Sequence, residues 1–322
     1  MTTAAVRDEV RRAFPVWFNV WLSLGHVLTA FVFIQPPQAA AVATLAFPLV
    51  WVVLYYWLGR RGTRPDRATL AWLSLSAPAV AVLWWLPARL IWRPDDPSAL
   101  RLGDEVLAIL WVVLLVLHCR RERGWAAVSV FFGVGAIYGF FLENSGISLG
   151  YFTESGYNVY VPFSNTPLSS VAGWCTVFYP SVFISEALVG RLPAARRRIL
   201  WPAAIVTTIA VSSDIHFDHI ATALGMWTWN PQLPAFFLGV PLVNYTSWVC
   251  AVFAFASVYY FIERRSSGAT VTPRLVLLAL PVMLAISALA NLLLIGLLEG
   301  FSGPSWRIVR DALATTIKAY GT

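Results

Sequence analysis

Apolar runs recur along the chain from Val16 to Leu298 with no long polar interval between them. Spanning a bilayer takes roughly 20 apolar residues, and nine runs approach that length: 16–34, 39–58, 68–91, 104–119, 125–142, 167–190, 199–224, 236–262 and 275–298. The fourth and fifth are short. A backbone in lipid must satisfy its own N–H and C=O groups, so each run is read as a helix. The expected fold is all-α: a polytopic membrane helical bundle of about nine transmembrane helices, forming a single membrane domain over 1–322. Beyond Pro304 the pattern changes. Trp306, Val309, Leu313 and Ile317 fall on one helical face, which predicts a short interfacial helix.

Composition agrees, with 58% hydrophobic and 12% charged residues and a mean hydropathy of +0.68. Soluble domains carry about a quarter charged residues. The net charge of +7 would invite a nucleic-acid reading, but its distribution argues otherwise. Lys318 is the only lysine, and the arginines gather in alternate loops, as in Arg7–Arg12, Arg60–Arg67, Arg120–Arg123, Arg191–Arg198 and Arg264–Arg274. The positive-inside rule makes that side cytoplasmic. The protein is expected in the cell membrane, multi-pass, with a cytoplasmic N-terminus, lipids around it and no nucleic-acid partner. Cys119, Cys175 and Cys250 lie far apart within or at the ends of apolar runs and read as small core residues.

Two stretches share a pattern. Glu143, Gly150, Phe152, Thr153, Pro167, Leu168 and Trp174 recur as Asp218, Gly225, Trp227, Thr228, Pro241, Leu242 and Trp248, with one residue fewer in the second loop. Each copy is a helix ending in a carboxylate, an outer loop, and a helix led by Pro-Leu. The units are 125–190 and 199–262, and both start from the cytoplasmic side. This is a parallel repeat, whose axis along the membrane normal would bring Glu143 to face Asp218.

These residues resemble the carotenoid-biosynthesis membrane protein family that includes bisanhydrobacterioruberin hydratase and related carotenoid hydratases. The resemblance rests on Glu143, Gly146, Gly150, Phe152, Pro167, Leu168, Trp174, Tyr179, Pro180 and Ser181 in the first copy. In the second it rests on Asp214, Asp218, Gly225, Trp227, Trp229, Gly239, Val240, Pro241, Leu242, Asn244 and Trp248. His219 stands where the family usually has proline, and His216 adds a second imidazole. The resemblance implies a lipophilic isoprenoid substrate and association with other pigment or terpenoid biosynthetic enzymes.

The stretch Ser212–Ile220 places Asp214, His216, Asp218 and His219 inside an apolar span. Each ionisable group there costs a few kcal/mol at least, so function is the default reading. A metal site is the rival. On a regular helix Asp214 and Asp218 lie roughly 40° apart, and both histidines point about 150° away, so one ion cannot be held by all four. No metal or other cofactor is expected. Acid catalysis fits better. Neighbouring carboxyls in low dielectric share a proton, and a carboxylic acid can protonate an alkene to a tertiary cation. Phe152, Trp174, Trp227, Trp229 and Trp248 flank the acids and would stabilise it. Asn244 joins them as a substrate-binding candidate, though Asn244 and Asn291 also suit interhelical hydrogen bonds. Glu186 reads as snorkelling toward Arg191.

The reading is an isoprenoid-modifying enzyme, in the first place a carotenoid hydratase-like lyase adding water to a terminal double bond. Asp218, Asp214, Glu143, His216 and His219 are its candidate catalytic residues. One alternative is a polyprenyl or terpenoid cyclase or isomerase using the same acid. The other is a proton-coupled transporter or lipid-binding membrane protein. Against that last reading, the polar residues cluster in the outer half of the spans.

Overall fold

The computed structural model describes residues 98–189, 199–223, 225–237, 239–265 and 271–320. The expected spans 16–34, 39–58 and 68–91 lie outside the described residues. The described part is helical, with two short strand pairs. Five stretches are long and apolar enough to cross a bilayer: Arg101–Leu149, Leu168–Glu186, Leu200–Ala223, Leu242–Arg265 and Leu280–Glu299. The chain is a multi-pass membrane protein.

Helix α1 (Ser98–Val128) is broken at Gly124, whose φ of 79° and ψ of 179° suit glycine. A π-helical turn at Ser129–Val134 leads into α2 (Gly135–Leu149). A straight helix over that distance would hold its ends roughly 70 Å apart. Instead, Glu105 near the start of α1 accepts the N–H groups of Asn158 and Val159, just beyond α2, at 2.7 and 2.8 Å. The 49-residue stretch is a hairpin. Both arms outrun the expected 104–119 and 125–142.

Then come α3 (Leu168–Val189), α4 (Leu200–Ala223), α5 (Leu242–Arg265), α6 (Pro273–Leu278), α7 (Leu280–Glu299) and α8 (Pro304–Tyr320). The expected span 236–262 starts later, at Leu242. Before it, Ala235–Phe237 (β1) pairs with Val240–Pro241 (β2) around Gly239, which has φ +84°. The expected span 275–298 is interrupted at Ala279, which ends α6 and starts α7. Pro281 there has no N–H with which to extend the ladder.

Helices α2 and α4 end alike. Gly150, at φ 80°, donates to Ile147 O at 3.0 Å while Tyr151 donates to Gly146 O at 3.0 Å. Gly225, at φ 69°, donates to Thr222 O at 3.1 Å while Met226 donates to Ala221 O at 2.9 Å. Both are Schellman caps, which need a left-handed residue. Past them a second strand pair forms between Phe152–Thr153 (β3) and Thr228–Trp229 (β4), with Thr153 opposite Thr228. Asn230 fastens the pair by donating its N–H to Tyr151 O and its Nδ2 to Gly150 O, both at 2.8 Å. Arg101 Nη2 reaches Gly225 O at 2.7 Å. The two loops thus form one structure at one end of the bundle, the loop end.

Below it the core is aromatic. Trp174 stacks on Trp248 at 4.3 Å and Phe178 on Phe255 at 4.2 Å. Apolar burial alone does not hold helices together in lipid, so close packing matters. Gly139 illustrates this: a Cβ there would lie 2.6 Å from Trp174 Cβ. At the opposite end Arg123 forms an ion pair with Glu186 and donates to Tyr259 Oη. Arg123 is thus the partner the structure gives Glu186, and Arg191 lies outside the described residues. The expected interfacial helix is α8. Trp306 Nε1 anchors it to Leu292 O at 3.1 Å, and Leu313 and Ile317 remain exposed.

Candidate active site

The loop end encloses a cavity of about 420 Å³, lined from α1, α2, α3, α4, α5, α7, α8 and the joined loops. Helical spacing puts Asp214 and Asp218 one turn apart on the lining face of α4. Both are buried, Asp218 at 5% exposure against 1% for Asp214. Asn244, near the start of α5, donates Nδ2 to Asp214 Oδ2 at 3.1 Å and to Asp218 Oδ2 at 2.5 Å. One amide nitrogen thus bridges the two carboxyls. Asp214 Oδ1 is buried and has no hydrogen-bond partner.

Three more carboxyls line the same cavity: Asp104, Glu143 and Glu154. Glu143, on α2, accepts Trp174 Nε1 at 2.8 Å. Glu154 sits just past β3, buried, with both carboxyl oxygens 3.0 Å from the Ser170 hydroxyl. Burial above all, and then the nearby Glu143 carboxyl, hold Glu154 well above the ordinary glutamate range, against the pull of Ser170. Asp104, on α1, is the fifth. No lysine or arginine is among the described lining residues. The rest of the wall is largely aromatic, including Phe152, Trp174, Trp227, Trp229 and Trp248.

This is an uncommon balance: five acids, aromatic faces and no lysine or arginine among the described lining residues. The model of the carotenoid biosynthesis protein family matches residues 103–306, more than half of the 322-residue chain. The chain belongs to this family. All five carboxyls lie within the matched region, as does nearly the whole lining of the cavity. No curated protein and no solved structure matches the chain.

Family membership makes the fate of each sequence candidate worth stating. The cavity brings together Asp214, Asp218, Glu143, Phe152, Trp174, Trp227, Trp229, Asn244 and Trp248. His219 is buried on α4 and is not among the described lining residues. The His216 side chain lies outside the described residues. Among the described residues, no group of three or more His, Cys, Asp and Glu side chains could hold a metal ion.

Asp104, Glu154, Ser170 and Tyr151 are among the lining residues the sequence left aside. Asp104 stands at the first position of the expected span 104–119, and the structure sets it in the first turns of α1. Glu154 directly follows the LGYFT string of the first copy, the one available signal.

Proposed function

We propose that the chain is a membrane enzyme that hydrates a terminal double bond of a carotenoid. The observation that carries this reading is the buried Asp214–Asp218 pair, bridged by Asn244 Nδ2 at an aromatic cavity with no described basic lining residue. One carboxyl of the pair carries the proton. Asp218, the more exposed of the two, delivers it to the alkene carbon that leaves a tertiary cation. Aromatic faces stabilise the cation. Water oxygen then bonds to the cationic carbon, and its surplus proton passes to the carboxylate pair, which restores the starting state. Glu143, oriented by Trp174, holds the attacking water.

The charge balance also supports a neutral substrate. A diphosphate headgroup would meet carboxyls and no lysine or arginine among the described lining residues. That argues against a polyprenyl diphosphate, and for the hydrocarbon end of a finished chain. A cyclase or isomerase would use the same acid and cation, ending in ring closure or proton loss. A transporter needs a path to both faces. The stacked Trp174–Trp248 and Phe178–Phe255 pairs lie between the acids and the arginine end, which favours an enzyme.

The same reading takes 125–190 and 199–262 as a parallel repeat within a nine-span chain, with the N-terminus cytoplasmic and the loop end outside. Matching caps, the pairing of Thr153 with Thr228 and the stacking of Trp174 on Trp248 support it. In each case equivalent residues of the two copies meet or behave alike.

The test is expression in a host that accumulates an acyclic carotene. The expected product is heavier by one water and carries a tertiary alcohol. An isomer of unchanged mass would support the cyclase or isomerase reading, and an unchanged pigment profile would sink both.

A further inference from the structure

Most of the described cavity wall is buried or half-buried, and among the described lining residues the exposed ones fall on two helices. Phe141 and Ser145 are on α2 and Ala288 is on α7. Two hydrogen bonds bracket the place along α2 and its extension. On the core side the Tyr138 hydroxyl donates to Ala251 O of α5 at 3.1 Å. On the loop side the Tyr151 hydroxyl donates to Ser305 O of α8 at 3.3 Å.

The rim is apolar in effect. Ser145 turns its hydroxyl back to Phe141 O at 2.5 Å, and Phe141 and Ala288 are the other exposed members of the described wall. Inside stands Asn291, which donates Nδ2 to Ser247 Oγ at 2.8 Å and whose Oδ1 carries no hydrogen bond. Phe141 and Ser145 lie roughly 6–12 Å below the end of α2, at 1.5 Å per residue. That depth faces acyl chains, not headgroups or water.

We infer that the cavity is loaded sideways, from the bilayer, through the gap between α2 and α7. The occupant is an uncharged apolar chain, with one end at the carboxyls and the remainder left in lipid. A volume of about 420 Å³ sits near the low end of the ~300–1,000 Å³ that holds drug-sized molecules. A long chain must therefore protrude, and the gap lets it do so into its own solvent. The inference rests on the cavity being the reaction site but not on which reaction occurs there.

Labelling kinetics test it without turnover. Full-length protein in lipid nanodiscs carries Ser247→Cys as a reporter inside the gap, with the buried native cysteines as background. A long-chain N-alkyl maleimide dissolved in the bilayer should label it. Ser145→Trp combined with Ala288→Trp should slow that labelling by about tenfold or more. Leu289→Trp, exposed on the same helix and outside the cavity lining, should change it by less than about twofold. Labelling no faster than background, equal rates with and without the two tryptophans, or equal slowing by Leu289→Trp would overturn lateral loading. So would faster labelling by a charged, water-borne maleimide. Labelling that behaves as expected in a protein yielding no hydrated product would leave lateral loading standing and remove the hydratase reading.

Discussion

The two ends of the bundle bury ionisable groups in opposite ways. At the arginine end Arg123 and Glu186 oppose each other, and Tyr259 Oη accepts a further bond from the guanidinium. Charge there is neutralised on the spot, as structural ion pairs require. At the loop end Asp104, Glu143, Glu154, Asp214 and Asp218 share one cavity with no described lysine or arginine in its lining. The side chains seen against these acids among the described residues are neutral: Ser170 on Glu154, Trp174 on Glu143, and Asn244 on Asp214 and Asp218. On the proposed reading such acids hold a proton, and that proton is the reagent.

The largest effect should come from removing that reagent. Asp218→Asn keeps size and hydrogen bonding but cannot deliver a proton. Turnover should fall by roughly 100- to 10,000-fold, the usual worth of general acid catalysis, with helicity and polyene binding retained. A loss under about threefold would remove Asp218 as the acid and move the assignment to Glu143. Asp214→Asn and Glu143→Gln should cost less, about 10- to 100-fold. The first keeps an acceptor for Asn244, and the second keeps one for Trp174. Equal losses at all three positions would mean that the carboxyls act as one unit.

The same type of change at the arginine end should behave differently. Glu186→Gln leaves Arg123 without its counter-charge, at side-chain exposures of 19% and 31%. The cost should be about 2 kcal/mol of stability, between exposed and fully buried ion pairs. It should appear as a lower melting temperature, with turnover per folded molecule unchanged. A catalytic defect from Glu186→Gln would erase the distinction between the two ends.

The contrast was half legible in the sequence. Asp214, Asp218 and Glu143 stand out because an acid in an apolar run costs energy wherever the fold places it. Asp104 and Glu154 do not, because an acid at the edge of an expected span or in a loop costs little until tertiary structure buries it. What buries Glu154 is non-local: the pairing of β3 with β4 and the joining of the two loops by Asn230. The short fourth and fifth spans have a related cause. Arg120, Arg121 and Arg123 end an apolar run, but the helix continues to Gly124 because Arg123 finds Glu186 on another helix. Phe236 and Phe237 read as membrane-spanning, yet Gly239 and Pro241 hold that segment in strands.

The smallest expected effect sharpens the comparison most directly, because Glu154 lies outside the spans and its charge can be followed by pH. Burial, then Glu143, and further Asp104 and Asp218, raise its carboxyl well above the ordinary value of 4.5. Tyr157 is also near, and the Ser170 hydroxyl opposes the rise. The sign follows from proton linkage. Above the ordinary value the unfolded chain has released this proton while the folded protein still holds it. Stability from this group is therefore complete below about 4.5 and falls as pH rises toward and through the raised folded value. Glu154→Gln is neutral at every pH and keeps an oxygen to accept from Ser170. Melting temperatures in detergent, taken from mildly acidic to mildly alkaline pH, should fall less steeply for Glu154→Gln than for the unaltered protein. The two should separate progressively as pH rises above about 4.5. Parallel curves would mean that Glu154 ionises as freely as a solvated glutamate. The loop end would then hold one fewer unpaired acid than its geometry implies.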